Sequence, residues 1–372
     1  MRPLTQSGCA KMTTSVSIDS VTKRFGDSTA VDNVSFDIAK EFFTLLGSSG
    51  CGKTTLLRMV AGFMRQTSGN IRFDGKIIDD VPPHQRNTGM VFQNYAIFPH
   101  LTVFDNVAYG LRARRRGKAE IDREVRRMLE LVRLDHLAHR RPRELSGGQQ
   151  QRVVLARAMV IQPDVLLMDE PLSNLDTEMR IHLRSEIRSL QRQIGITTIY
   201  VTHDQEEALL MSDRIAVMSR GRIEQLDVPH TIYAEPKTLF VAGFIGENNL
   251  LPGTVIARDA DGSSLIELPG GHRVRGLGGV DAAGQPCLVS IRPQDIDLGP
   301  SDGAQETGIG GTVTDIQFLG GTVKLLVEIG AEKPITVSLQ GRRGMDMPEA
   351  GSQLRLHVPL QAVRTFKPEA RA

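Results

Sequence analysis

Tryptophan is absent, and four tyrosines with 13 phenylalanines bring the aromatic share to only 5%. So few rings leave little from which to build the platforms on which single-stranded bases stack. Neither sign of charge is in excess: 45 basic against 43 acidic side chains leave a net +2. That balance supplies no whole-molecule field for nucleic acid. The local basic clusters "RARRR" (112–116) and "RRPR" (140–143) read as solvated faces. Cysteine is scarce as well. Cys9, Cys51 and Cys287 are odd in number and far apart. They form no disulfide framework and show no metal-ligand spacing, which suits a reducing cytoplasm. No apolar run has the length that crosses a bilayer, and the opening "MRPLTQSGCAKM" lacks the apolar centre of a secretory signal. Any work at a membrane is expected to pass through another protein.

What remains is an ordinary globular composition, 372 residues of which 40% are hydrophobic, enough for two cores. Strand-like stretches open the chain: "VSI" (16–18), "VSFDI" (34–38) and "FFTLL" (42–46). A glycine loop follows, then "TTLLRMVAGF", which reads as a helix starting in the loop. Further on, "GMVFQ" reads as a strand ending at Gln93. From Val103 the period turns helical, and "EIDREVRRMLELVRL" spaces Ile121, Val125, Met128, Leu129 and Val132 along one face. "DVLLMDE" (164–170) is a continuous apolar run ending in two carboxylates, as in a buried parallel strand. "TTIYVTH" ends similarly at His203, and "RIAVMS" follows. Strands alternating with helices predict a parallel α/β sheet with a helical insertion at about 95–160. After Phe244, glycine, proline and short alternating runs predict a small all-β domain of barrel type. "GTV" recurs at 253–255, 311–313 and 321–323, a hint of duplicated barrel modules.

Two stretches are built to meet phosphate. In "GSSGCGKTT", Gly47, Gly52, Lys53 and Thr54 satisfy the P-loop spacing, and Ser48, Ser49, Gly50, Cys51 and Thr55 complete the loop. Its backbone N–H groups close round a β-phosphate, Lys53 adds a positive charge, and the Thr54 hydroxyl ligates Mg²⁺. A chance glycine turn is the alternative; a strand before it and a helix after it argue against chance. Asp169, ending its apolar strand, is placed to hold the magnesium through water. Glu170, one residue on, points elsewhere, toward an attacking water. The second stretch, "RELSGGQQQR" (143–152), sets a serine and two glycines at the head of a helix, where free N–H groups gather.

Taken together, these motifs resemble those of the ATP-binding subunits of ABC importers, over nearly the whole chain. The phosphate loop lies at 47–55, the Q-loop glutamine is Gln93 in "VFQNYAIFPHLTVFDNV", and the signature is "LSGGQQQR" (145–152). The Walker B strand is "VLLMDE" (165–170), the D-loop "SNLD" (173–176), and the switch histidine His203 in "VTHDQEEAL". The resemblance implies a RecA-like P-loop NTPase core at 14–240, with its helical subdomain at about 95–160. An accessory TOBE barrel of the OB type is implied at 244–372, with "IRPQDIDL" inside it.

It also implies roles. Phe25 in "KRFG" stacks on adenine; Gln93 reaches the magnesium and reports to the helical insertion; His203 holds the γ-phosphate; Glu170 orients or polarises the attacking water. Ser146, Gly147, Gly148 and Gln149 act in trans on the ATP held by Lys53 of a second copy, and Asp176 links the two sites. The implied assembly is a homodimer on the cytoplasmic face of the inner membrane, binding ATP and Mg²⁺. Two transmembrane permease subunits would meet it near Tyr95, Ala96, Ile97, Phe98 and Pro99. An extracytoplasmic solute-binding protein is an indirect partner, and no nucleic acid is expected.

"ENNLLPGTV" and "GFMRQTSG" look most like the polyamine (spermidine/putrescine) branch, with ferric iron, phosphonate and sugar importers close by. The competing class is a soluble ABC ATPase of DNA repair or translation. Such proteins carry long coiled coils between loop and signature, or two cassettes in one chain; here the insertion is compact and the cassette single. Two departures from the importer pattern stand out. Ser48 occupies the place of a usual proline, with little effect expected. Lys40 occupies the place of a usual glycine, so a distorted hairpin or shortened connection is expected between "VSFDI" and "FFTLL".

Overall fold

The structure, a computed structural model, describes residues 14–279, 282–299, 307–342 and 348–368. Cys9 and the opening "MRPLTQSGCAKM" lie outside the described residues. The chain divides into two units, Met1–His230 and Thr231–Ala372.

The first unit is built on a six-stranded sheet of order β10-β9-β3-β8-β7-β6. Its strands are β3 (Phe42–Gly47), β6 (Thr88–Val91), β7 (Val165–Asp169), β8 (Thr197–Thr202), β9 (Arg214–Ser219) and β10 (Arg222–Asp227). All neighbours run parallel except the β9–β10 pair. The continuous apolar runs have a direct cause: both faces of this sheet are covered. Phe42, Leu166, Met168 and Tyr200 enter one core with the helices α2 (Val103–Ala113), α3 (Lys118–Leu131), α4 (Gly147–Met159) and α5 (Thr177–Ile194). Phe43, Leu45, Val165, Leu167, Ile199 and Val201 alternate into a second core with α1 (Lys53–Ala61). The helix α6 (Gln205–Met211) follows β8.

The second core is closed by an antiparallel sheet of order β2-β1-β4-β5, from β1 (Val16–Phe25), β2 (Ser28–Ile38), β4 (Ser68–Phe73) and β5 (Lys76–Ile77). This corrects the expectation at Lys40. The strands β2 and β3 belong to different sheets, so Ala39–Glu41 is a crossover and not a hairpin turn. Ala39 N–H is held by Glu41 Oε1 at 3.1 Å. Lys40 is not among the non-glycine residues of positive φ. A crossover between sheets needs no left-handed residue, and lysine serves there. The "GMVFQ" strand is also shorter than expected: it ends at Val91, leaving Phe92 and Gln93 in the loop.

The second unit opens on the short helices α7 (Pro229–Ala234, which straddles the division) and α8 (Leu239–Phe244). A closed barrel follows, from β11 (Asn249–Arg258), β12 (Ser264–Glu267), β13 (Arg273–Gly278), β14 (Pro286–Ile291) and β20 (Val363–Phe366). A five-stranded sheet comprises β15 (Asp297–Leu298), β16 (Ile309–Phe318), β17 (Thr322–Glu328), β18 (Ile335–Gln340) and β19 (Gln353–His357). The "GTV" recurrences thus fall once in the barrel and twice along β16–β17, in a sheet that does not close. Arg292 of "IRPQDIDL" donates to the carbonyls of Ile245, Glu247 and Tyr233 and stacks 4.5 Å from the Tyr233 ring. It is thereby a structural anchor within this unit.

Candidate functional site

Parallel strands deliver all their C-terminal ends to one edge of the sheet, which is where open α/β sheets bind ligands. Here β3, β8, β7 and β6 end in register: Leu46 pairs with Thr202, Asp169 with Val201, and Val91 with Met168. The residues that follow these ends are the phosphate loop, His203, Glu170 and the Gln93 loop. Four motifs distant in sequence therefore share one edge.

In the loop after β3, Lys53 is only 4% exposed, and its Nζ donates to the carbonyls of Gly47 and Ser48, each at 2.8 Å. Those two bonds fix the ammonium at the loop's centre, and its third hydrogen meets only the weak acceptor Cys51 Sγ at 3.7 Å, which an anion would displace. Gly52, just before α1, has φ +105°, and a Cβ there would stand 2.3 Å from the Ala30 carbonyl oxygen. Both the conformation and the contact demand glycine. Gly52→Ala is expected to cost about 2 kcal/mol or more of stability, read as a shifted urea midpoint, with weakened ATP binding. Cys51 is buried against this loop, its Sγ 3.7 Å from Lys53 Nζ. Ser48 and Ser49 adopt no positive φ, so serine replaces the usual proline without strain.

Thr54, on the first turn of α1, donates its hydroxyl to Asp169 Oδ1 at 2.9 Å. Burial pushes the Asp169 carboxyl above its ordinary pKa, and the Thr54 bond pulls it back. A hydroxyl beside a carboxylate is a hard-oxygen pair that suits a small divalent cation. Among the described residues no group of three or more His, Cys, Asp or Glu could hold a metal. Magnesium does not need one, since it keeps several waters and takes phosphate oxygens.

The next residue turns away. Glu170 has φ +44°, a left-handed conformation that costs a non-glycine residue about 1–2 kcal/mol. Its N–H is held by the Val201 carbonyl at 3.0 Å, and its own carbonyl accepts from Ser173 Oγ at 3.0 Å. The twist separates two adjacent carboxylates, Asp169 toward Thr54 and Glu170 toward two other side chains. Glu170 Oε2 lies 3.2 Å from His203 Nδ1 and 3.5 Å from Gln93 Nε2. One carboxylate oxygen thus gathers the residues that follow β7, β8 and β6.

Several supporting residues were missed by motif reading. Asn174 donates to the Gln93 carbonyl at 3.0 Å, joining the D-loop stretch to the Gln93 loop. Arg157 donates to the carbonyls of Tyr95 and Ala96 at 3.0 and 2.9 Å and lies 4.9 Å from the Phe98 ring centroid. Tyr95 and Ala96 both have positive φ, so this guanidinium pins a strained segment. Asn106, fully buried, exchanges hydrogen bonds with both the N–H and the carbonyl of Phe98. Nothing local in sequence marks Arg157, because its partners lie about sixty residues upstream; those of Asn106 lie in the loop just before its own helix.

The remaining predicted residues are not gathered at Lys53. Ser146 caps α4 through a reciprocal pair with Gln149, Oγ accepting from the Gln149 N–H and its own N–H donating to Gln149 Oε1. Ser146 and Gly147 are exposed, and Gly148 packs against the Met179 thioether on α5. Asp176 caps α5, accepting from the Met179 N–H at 2.8 Å. Phe25, at the end of β1, is 49% exposed with the Lys23 ammonium 5.0 Å from its ring centroid. The start of α4 is thus a well-capped, outward-facing element.

The family described as ABC transporter matches residues 31–173, and that described as TOBE domain matches residues 289–366. An Fe(3+) ions import ATP-binding protein, FbpC, of Fusobacterium nucleatum is 44% identical over 358 residues, 95% of this chain and 94% of that one. The chain belongs to the ABC transporter family. Its ABC relatives include the spermidine/putrescine import ATP-binding protein PotA of Pseudomonas aeruginosa, 50% identical over 84% of this chain and 87% of that one. PotA of Thermobifida fusca is 47% identical over 87% and 86%. Two solved ABC structures share the fold over more than half of this chain. One is cbiO1 from Clostridium perfringens, part of the transporter complex cbiONQ, with TM-score 0.56 and 30% identity over 59% of this chain and 90% of that chain. The other is the dimeric post-hydrolysis cassette MJ0796 bound to ADP and Pi, with TM-score 0.51 and 30% identity over 57% and 98%. This chain is accordingly an ABC ATPase with a P-loop core and a C-terminal β domain. Among the described residues no helix is long and apolar enough to cross a membrane.

Proposed function

We propose that this ABC ATPase powers polyamine uptake, working as a homodimer against two membrane permease subunits supplied by an extracytoplasmic solute-binding protein. Its place would be the cytoplasmic face of the plasma membrane. The observation that carries the ATPase half is the convergence of Gln93 and His203 on Glu170 Oε2, beside the Thr54–Asp169 pair. Lys53 neutralises the β- and γ-phosphates. Phe25, half-exposed, offers a face to adenine. Thr54, Asp169 (through water) and Gln93 would hold magnesium, which when bound neutralises phosphate charge. Glu170 orients the attacking water and draws on its proton, and His203, held at Nδ1 by Glu170, turns its other nitrogen to the γ-phosphate. Such a site acts by positioning and charge neutralisation.

Exposed Ser146 and Gly147 supply the second half of the argument. The Ser146 hydroxyl and the exposed Gly147 backbone would complete a site only on a second molecule, with Asp176 linking the two sites. Division 14–240 and 244–372 assigns this chemistry to the first domain and an accessory role to the barrel.

The solute is argued from the relatives named for spermidine/putrescine import, at 45–50% identity. Ferric iron is the second reading, favoured by the iron-import relative that spans 95% of this chain. The test is reconstitution in vesicles with the permease and binding-protein genes encoded alongside. Binding protein loaded with spermidine or putrescine is expected to raise ATP hydrolysis several-fold, and ferric iron is not. Stimulation by iron alone would transfer the assignment.

A further inference from the structure

Behind His203 lies a buried polar cluster that the mechanism does not use. Thr202, the last residue of β8, is 2% exposed, and its hydroxyl makes two bonds. It donates to Glu207 Oε2 at 2.8 Å and accepts from the Asp204 N–H at 3.0 Å. One hydroxyl therefore joins the residues on either side of His203 and closes the turn that presents it. Glu207 Oε2 also accepts from the Tyr200 hydroxyl at 2.7 Å. Burial pushes the Tyr200 hydroxyl far above its ordinary pKa, so it remains a donor. Burial raises the Glu207 carboxyl too, against the pull of its two hydroxyl partners.

The cluster continues to another element. Asp204 caps α6, accepting from the Glu207 N–H at 3.1 Å. The buried Arg184 of α5 reaches Asp204 at 2.8 Å, Glu206 at 3.1 Å and Glu207 at 3.8 Å. Arg180, one turn earlier, reaches Asp204 at 3.4 Å. The cap of that same helix is Asp176. The helix α5, with its N-cap at the D-loop stretch, is thus ion-paired to the turn that carries His203.

We infer that the Thr202–Glu207–Asp204–Arg184 cluster is the positioning element of His203, fixing it against Glu170 and tying its placement to α5. None of the four touches substrate; they act through His203. The inference rests on the proposed role of His203 in hydrolysis.

The test is a mutant cycle on the full-length chain, with single-turnover hydrolysis at saturating Mg·ATP and ATP affinity measured separately. Thr202→Val keeps the volume and removes both bonds; Thr202→Ser keeps the hydroxyl. Thr202→Val is expected to slow hydrolysis about ten-fold or more with ATP affinity within about two-fold, and Thr202→Ser to restore the rate. In a His203→Ala background the same change is expected to add almost nothing, because positioning matters only when the imidazole is present. An equal slowing in both backgrounds, an unslowed Thr202→Val, or a loss of affinity matching the loss of rate would overturn the inference and leave the site reading standing. Wild-type turnover by His203→Ala alone would instead overturn the site reading beneath it. Should circular dichroism show Thr202→Val unfolded, Glu207→Gln runs the same cycle with the same outcomes.

Discussion

Glu170→Gln is expected to slow ATP hydrolysis by about 10²–10⁴-fold, the range that a positioned general base contributes, while ATP binding survives. The substitution is almost isosteric. It keeps the side-chain length, the N–H bond to the Val201 carbonyl and the Ser173 bond to the residue's own carbonyl. It leaves Lys53 and the Thr54–Asp169 pair untouched. What it removes is the negative charge toward which water would be drawn. In the proposed cycle ATP closes the dimer and hydrolysis opens it, so the variant is expected to accumulate as an ATP-bound dimer. Phosphate release and size-exclusion chromatography with Mg·ATP read the two effects together. A Glu170→Gln chain that stays monomeric at saturating ATP and turns over at the wild-type rate would sink the assignment of Glu170.

Much of this site was legible in sequence because each motif sits at the end of a buried strand. "FFTLL", "DVLLMDE" and "TTIYVTH" are apolar throughout for one reason, burial on both faces of a parallel sheet, and their polar ends lie at its C-terminal edge. Local chemistry carried Lys53, Thr54 and Asp169, and the resemblance carried Gln93 and His203. What sequence could not carry was pairing at a distance. The strand β1 pairs with both β2 and β4, Val16 facing Ile38 on one side and Phe73 on the other. That antiparallel sheet has no marker separating it from the parallel one, which is why the step at Lys40 read as a hairpin. The left-handed twist at Glu170 was equally hidden, since glutamate gives no signal of positive φ. Arg157, Asn174 and the cluster behind His203 act through partners on other elements, so their roles emerge only in the fold.

The outward-facing signature carries the central claim, that each ATP site is made by two molecules. A mixture of Lys53→Ala and Ser146→Arg chains tests it most directly. Either homodimer alone is expected to be inactive, the first for want of the phosphate-loop ammonium and the second for want of a usable signature. In the mixed dimer one composite site holds both lesions and the other holds neither. Random pairing should then restore about a quarter of wild-type hydrolysis, from half the dimers each with one intact site. Mixtures as inactive as either parent, with mixed dimers shown to form, would contradict the shared site.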